Sequence, residues 1–63
     1  MINSIITNKT EHNIFLDIDG KGDVDKIIQI GPKARVKVSF PNERRFIEVS
    51  KKFRKHLILK KII

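Results

Sequence analysis

Sixty-three residues with no cysteine and a formal net charge of +7 rule out several kinds of protein. Disulfides and thiolate metal sites are excluded, and His12 and His56, the two histidines, have no second ligand at metal spacing. A chain this short buries only about 60% of the surface its unfolded form exposes, so a partner chain is an expected source of added stability and a substrate-enclosing cleft is hard to build.

The start, Met1-Ile2-Asn3-Ser4-Ile5-Ile6, lacks the basic region and long apolar stretch of a signal peptide. No apolar run approaches the roughly 20 residues that span a bilayer, so a membrane partner is not expected. Residues 1–7 read as an N-terminal arm that orders on docking, or as an edge strand, ending at the turn-like Thr7-Asn8-Lys9-Thr10. Along 13–19 the pattern has period two, with Ile14, Leu16 and Ile18 on one face and Phe15, Asp17 and Asp19 on the other, as in a strand with one buried face. Asp19-Gly20-Lys21-Gly22-Asp23 breaks it, and glycines there supply the positive φ of a hairpin loop. The alternation resumes over 24–30 through Val24, Lys26, Ile28 and Ile30.

Gly31-Pro32 punctuates the chain, and 34–40 then alternate, with Val36, Val38 and Phe40 inward and Arg35, Lys37 and Ser39 outward. Residues 24–40 therefore read as a second hairpin with a four-residue connection. In the last third, Phe46, Val49, Phe53 and Leu57 fall at helical spacing, while Phe46-Ile47-Glu48-Val49 also suits a strand. The reading adopted is a strand, one short helix near 50–56 capped by Ser50, and a terminal strand around Leu57-Ile58-Leu59. The expected fold is one mainly β domain over 1–63, a small sandwich or partly open barrel of about five strands. Isoleucine, valine and phenylalanine dominate the apolar residues and alanine occurs once, at Ala34, which favours strands over helices.

The acidic stretch Asp17 to Asp25 invites a calcium-loop reading, but Lys21 stands where a fifth-position ligand belongs and Ile28 where a bidentate glutamate belongs. A solvated hairpin tip is the simpler account. Gly20-Lys21-Gly22 lacks phosphate-loop spacing, and no serine stands near a histidine in a nucleophile setting. No converging nucleophile, base or metal set exists, so the chain reads as a non-enzyme without cofactors.

Charge is the strongest signal. Residues 1–32 carry three lysines against five carboxylates, whereas 33–63 carry eleven cations against Glu43 and Glu48. The candidate partner-binding face comprises Lys33, Arg35, Lys37, Arg44, Arg45, Lys51, Lys52, Arg54 and Lys55. Such a face attracts acidic surfaces. Three readings compete: docking on an acidic protein lattice, nucleic-acid binding with cations on phosphates and Phe40, Phe46 and Phe53 stacked on bases, and plain solvation that keeps strand edges apart.

The run from Ile27-Ile28-Gln29-Ile30-Gly31-Pro32-Lys33 through Ala34-Arg35-Val36-Lys37-Val38-Ser39, set after the strand at 13–19, resembles small phage virion proteins of the capsid decoration or head-and-tail joint type. In these a strand, a turn and a polar-alternating strand precede a short basic segment and a last strand. The turn here reads Gly31-Pro32 where Pro-Gly is the usual order. The resemblance spans most of the chain. It implies a structural, non-catalytic subunit of bacteriophage virions, made in the host cytoplasm and present in many symmetric copies on a coat or connector protein.

Overall fold

The computed structural model describes residues 1–62. In chain order, β1 is Ile2–Asn8, β2 Ile14–Asp17, β3 Ile27–Ile30, β4 Arg35–Phe40, α1 Glu43–Lys52 and β5 Leu57–Lys61, with a single 3-10 turn at Val24–Lys26 before β3. The five strands form two antiparallel sheets, one ordered β4-β1-β5 and one pairing β2 with β3. The mainly β, five-stranded expectation holds.

One core joins the layers. Ile6 from β1, Leu16 and Ile18 from the β2 side, Ile30 from β3, Val38 and Phe40 from β4, Val49 from α1 and Leu57 from β5 are all buried in a single cluster. Phe40 meets Phe46 edge to face, with ring centroids 5.7 Å apart and planes at 77°. That geometry contributes about 0.5–1.5 kcal/mol beyond the buried area. The inward sets read from the alternation are the observed ones: Leu16 and Ile18 are buried with Ile14 half-buried, and Val38 and Phe40 are buried with Val36 half-buried.

The first hairpin forms as expected, with Ile14 opposite Ile30 and Leu16 opposite Ile28. Gly20 and Gly22 take φ of +74° and +73° at its tip. Residues 24–26 depart from the alternation because Asp23 caps a 3-10 turn there, accepting from the Asp25 amide, which leaves Val24 79% exposed.

Three expectations need correction. Residues 1–7 are neither an arm nor an edge strand, because β1 is the central strand, paired with β4 on one side and β5 on the other. Residues 24–40 do not form a hairpin. β3 and β4 follow one another through a tight turn yet belong to different sheets. The helix spans Glu43–Lys52 rather than 50–56, and 46–49 is helical rather than extended.

Asn42 explains the last correction. Its extended backbone and side-chain Oδ1, which accepts from the Arg45 amide at 2.8 Å, start the helix at a favoured N-cap residue. Glu43 in the first turn and Lys51 and Lys52 in the last suit the helix dipole. Helical spacing then turns Val49 into the core and half-buries Phe46. No helix among the described residues is long and apolar enough to cross a membrane.

Candidate docking surface

The core-facing residues of the three-stranded sheet leave the intervening residues on its outer face. The register places these in three rows: Arg35, Thr7 and Ile58; Lys37, Ile5 and Lys60; and Ser39, Asn3 and Ile62, the last row closed by the Ile62 amide donating to the Asn3 carbonyl at 2.8 Å. The hairpin and α1 contribute to the core on the sheet's other side. Ile58 is 50% exposed, and Arg35, Lys37 and Lys60 are exposed. A shallow depression of about 420 Å³ lies over this face, lined by Ile5, Thr7, Arg35, Ile58, Lys60 and neighbours, with no acidic side chain among the described lining residues.

The nine cations read from the sequence do not form one face. Arg35 and Lys37 alone stand on the outer sheet face. Arg44 is exposed on α1. Lys51, Lys52, Arg54 and Lys55 gather with His56 around a hollow of about 150 Å³ at the C-terminal end of that helix. There they complement the negative end of the helix dipole, and the Lys52 ammonium stands 5.7 Å from the Phe53 ring centre.

Two of the nine are committed within the fold. Lys33 sits in the turn at φ +59°, donates from Nζ to the Lys9 carbonyl at 2.7 Å and lies 3.5 Å from a Glu11 oxygen. Arg45 turns inward. Its Nε donates to the Ile18 carbonyl at 3.1 Å and its Nη2 to the Asp17 carbonyl at 2.6 Å, so it clamps the hairpin tip to α1.

Lys60, Ile5 and Ile58 also belong to the surface, although no pattern within a single strand assigns them to it. The signal was the alternation Ile58, Lys60, Ile62, in phase with Arg35 and Lys37 once β1 is placed between the two strands. Lys61 points the other way, 3.0 Å from a Glu43 oxygen and 5.6 Å from the Phe46 ring centre.

The remaining polar chemistry is internal. Ser4 is fully buried and its hydroxyl donates to the Val38 carbonyl at 3.2 Å. The Asp17 carboxylate accepts from the Gly22 amide at 2.8 Å and the Gly20 amide at 3.1 Å, and Asp19 accepts from Lys21 at 3.0 Å. The acidic tip is therefore a set of carboxylates folded onto their own loop. The Gly22 amide is the main reason the Asp17 carboxyl is held below the ordinary aspartate value of 3.8; partial burial opposes it, and the Gly20 amide, Asp19 and Arg45 add to it.

The phenylalanines that a base-stacking platform needs are placed elsewhere. Phe40 is buried, Phe46 and Phe53 pack against the core, and Phe15, 64% exposed, stands on the hairpin rather than the basic sheet face. The outer face therefore offers cations and isoleucines without rings. Comparison of the chain with known protein families, curated proteins and solved structures finds no match.

Proposed function

We propose that the chain is a non-enzymatic accessory subunit that docks on a protein lattice, a viral coat or connector protein, through the outer face of its three-stranded sheet. The observation that carries this reading is the makeup of that face. Ile5, Ile58 and Ile62 alternate with Arg35, Lys37 and Lys60 on this sheet face, and no acidic side chain is among its described lining residues. Isoleucine at the centre of such a patch gains from burial against a partner, and the cations select an acidic rim. A surface meant only for solvation has no use for three aligned isoleucines.

Nucleic acid is the competing partner, favoured by the overall charge and by the cations around the end of α1. It requires phosphate neutralisation alone, with affinity falling steeply with salt.

The test is capture of partners from the source lysate, with and without nuclease, by the wild-type chain and by an Ile58→Ser, Lys60→Glu variant. The expected outcome is a protein partner retained after nuclease treatment and lost with the variant. Loss of all capture on nuclease treatment assigns the basic surface to nucleic acid instead. Capture that the variant leaves unchanged removes the sheet face from the reading.

A further inference from the structure

We propose that the cleft between β3 and β4 receives an extended segment of the docking partner as an added strand, and that this segment alternates apolar and acidic residues. The inference rests on the docking reading and specifies the partner's chemistry.

The cleft exists because two consecutive strands fail to pair. Gly31-Pro32-Lys33-Ala34 reverses the chain tightly, with the Ala34 amide donating to the Gly31 carbonyl at 3.1 Å. Strands joined this closely ordinarily form a hairpin. Here the buried Asn8 stands at the joint: its side-chain amide donates to the carbonyls of Ile30 and Gly31, and its backbone amide donates to the Ala34 carbonyl. β3 and β4 are thereby committed to different sheets. They leave between them a groove of about 440 Å³ whose lining includes Ile18, Ile28, Val36, Val38, Lys26 and Lys37.

The parity of the ladder shows what the rim of the groove offers. Asn8 bonds to Ala34, so Ile6, Ser4 and Ile2 are the residues of β1 that exchange hydrogen bonds with Val36, Val38 and Phe40. The odd-numbered residues of β1 bond the other way, to β5, as the bonds Lys9 to His56 and Ile62 to Asn3 confirm. The amides and carbonyls of Arg35, Lys37 and Ser39 therefore point away from β1, along the edge of β4 that the groove borders. A strand edge of this kind is a template for another strand.

The same geometry sets the sequence of the guest. A strand laid along β4 alternates its side chains between the two faces of the sheet. Those on the inner face enter beside Val36 and Val38, over Ile18 and Ile28, and are apolar. Those on the outer face come beside Arg35 and Lys37, and are acidic. Lys26 adds a third cation on the β3 side, against Asp25 as the one carboxylate among the described lining residues.

The probe is a blocked peptide of about seven residues alternating valine and glutamate, enough to run the length of β4 at roughly 3.4 Å per residue. Controls are the same residues with the glutamates contiguous, and alternating valine and lysine. Amide hydrogen exchange of the isotope-labelled full chain is followed by NMR. The alternating acidic peptide is expected to slow exchange at Lys37 and Ser39 by about tenfold or more and to leave the outer-face side chains Ile5 and Ile58 unshifted. The control peptides are expected to do neither.

Lys37→Pro removes an edge amide that β1 does not use, and should abolish the protection while keeping the ladder. An Arg35→Glu, Lys37→Glu variant should exchange the preference to the lysine peptide, and it keeps the test decisive if proline disturbs the strand. Equal binding of the contiguous peptide, protection that survives in both variants, or edge protection that appears with protein concentration and no peptide overturns the proposal, the last by assigning the edge to a second copy. If partner capture fails while the peptide binds, the docking reading falls and the strand site stands. If capture persists and the peptide protects nothing, the reverse holds.

Discussion

Asn8 Nδ2 donates to the Ile30 carbonyl across 3.0 Å, at the point where the two sheets part. The same nitrogen reaches the carbonyls of His12 at 2.7 Å and Gly31 at 2.9 Å, while Oδ1 accepts from the amide and the hydroxyl of Thr10. One fully buried side chain thus satisfies both loops that leave the joint. Asn8→Ala strands several buried polar groups at once and should cost on the order of 3 kcal/mol in urea unfolding. Asn8→Asp is nearly isosteric, yet at neutral pH it turns carboxylate oxygens toward carbonyl oxygens and should cost at least as much. The introduced carboxyl is raised above its unfolded value, so this variant recovers stability as pH falls from 7 toward 5, and a flat profile would contradict the bonding described.

Arg45 is expected to behave as a structural residue rather than a docking one. Arg45→Met keeps the aliphatic stem and removes the fork that holds the carbonyls of Asp17 and Ile18. A loss of about 1–3 kcal/mol is expected, with hydrogen exchange accelerated in the hairpin before the three-stranded sheet. Arg45→Lys should restore little of it, because a single ammonium cannot reproduce the two directed bonds. Partner capture by material that remains folded should be unchanged.

The two tip glycines separate backbone strain from contact. Both have positive φ, so alanine at either should cost roughly 1 kcal/mol. A Cβ at Gly22 meets open space, whereas at Gly20 it falls 3.1 Å from the Arg45 Cζ. Gly20→Ala should therefore be the more damaging, and the excess should vanish in an Arg45→Met background. Equal losses in a double-mutant cycle would contradict the placement of the guanidinium.

Acid should loosen the hairpin tip. The Asp17 carboxyl titrates below its ordinary value of 3.8, so the folded state holds its charged form more tightly than the unfolded state does. That contribution is complete above the unfolded value and is lost as pH falls through the lower folded value. Urea midpoints measured between pH 5 and the most acid accessible buffer should decline less for Asp17→Asn than for the wild-type chain. Identical declines would show that the loop amides do not discriminate the two charge states.

The parts of the fold that could be read in the sequence are those where burial alternates with apolar and polar side chains. Leu16 and Ile18 opposite Phe15 and Asp17, and Val38 and Phe40 opposite Lys37 and Ser39, obey it. β1 hides its inner face because two of its buried residues, Ser4 and Asn8, are polar and satisfied by backbone partners that lie far along the chain. A local pattern contains nothing of Val38 or Ile30 as partners, so the strand looked peripheral. The failed second hairpin has the same origin, since Asn8 commits β3 and β4 to different sheets. In the helix, Phe46, Val49 and Phe53 carry the right period, but Ser50 is a capping residue by type as much as Asn42 is, and it is Asn42 that holds the place.

The candidate surface was legible only in part, for a related reason. Arg35 and Lys37 follow from alternation within one strand, whereas Lys60 and Ile58 join them only through pairing with β1. Arg45 was indistinguishable from its neighbour Arg44 in a charged run, because what sets it apart is the pair of carbonyls presented by a distant hairpin tip.

The position of β1 also bears on how the chain is made. Its partners β4 and β5 both follow it in the chain, with the hairpin strands β2 and β3 in between. During synthesis this isoleucine-rich strand therefore has both edges open until β4 has been made and one edge open until β5 has, while the hairpin can form as soon as Ile30 is free. The polar residues of that strand, Asn3, Ser4, Thr7 and Asn8, keep its apolar residues from forming one continuous adhesive stretch during the wait.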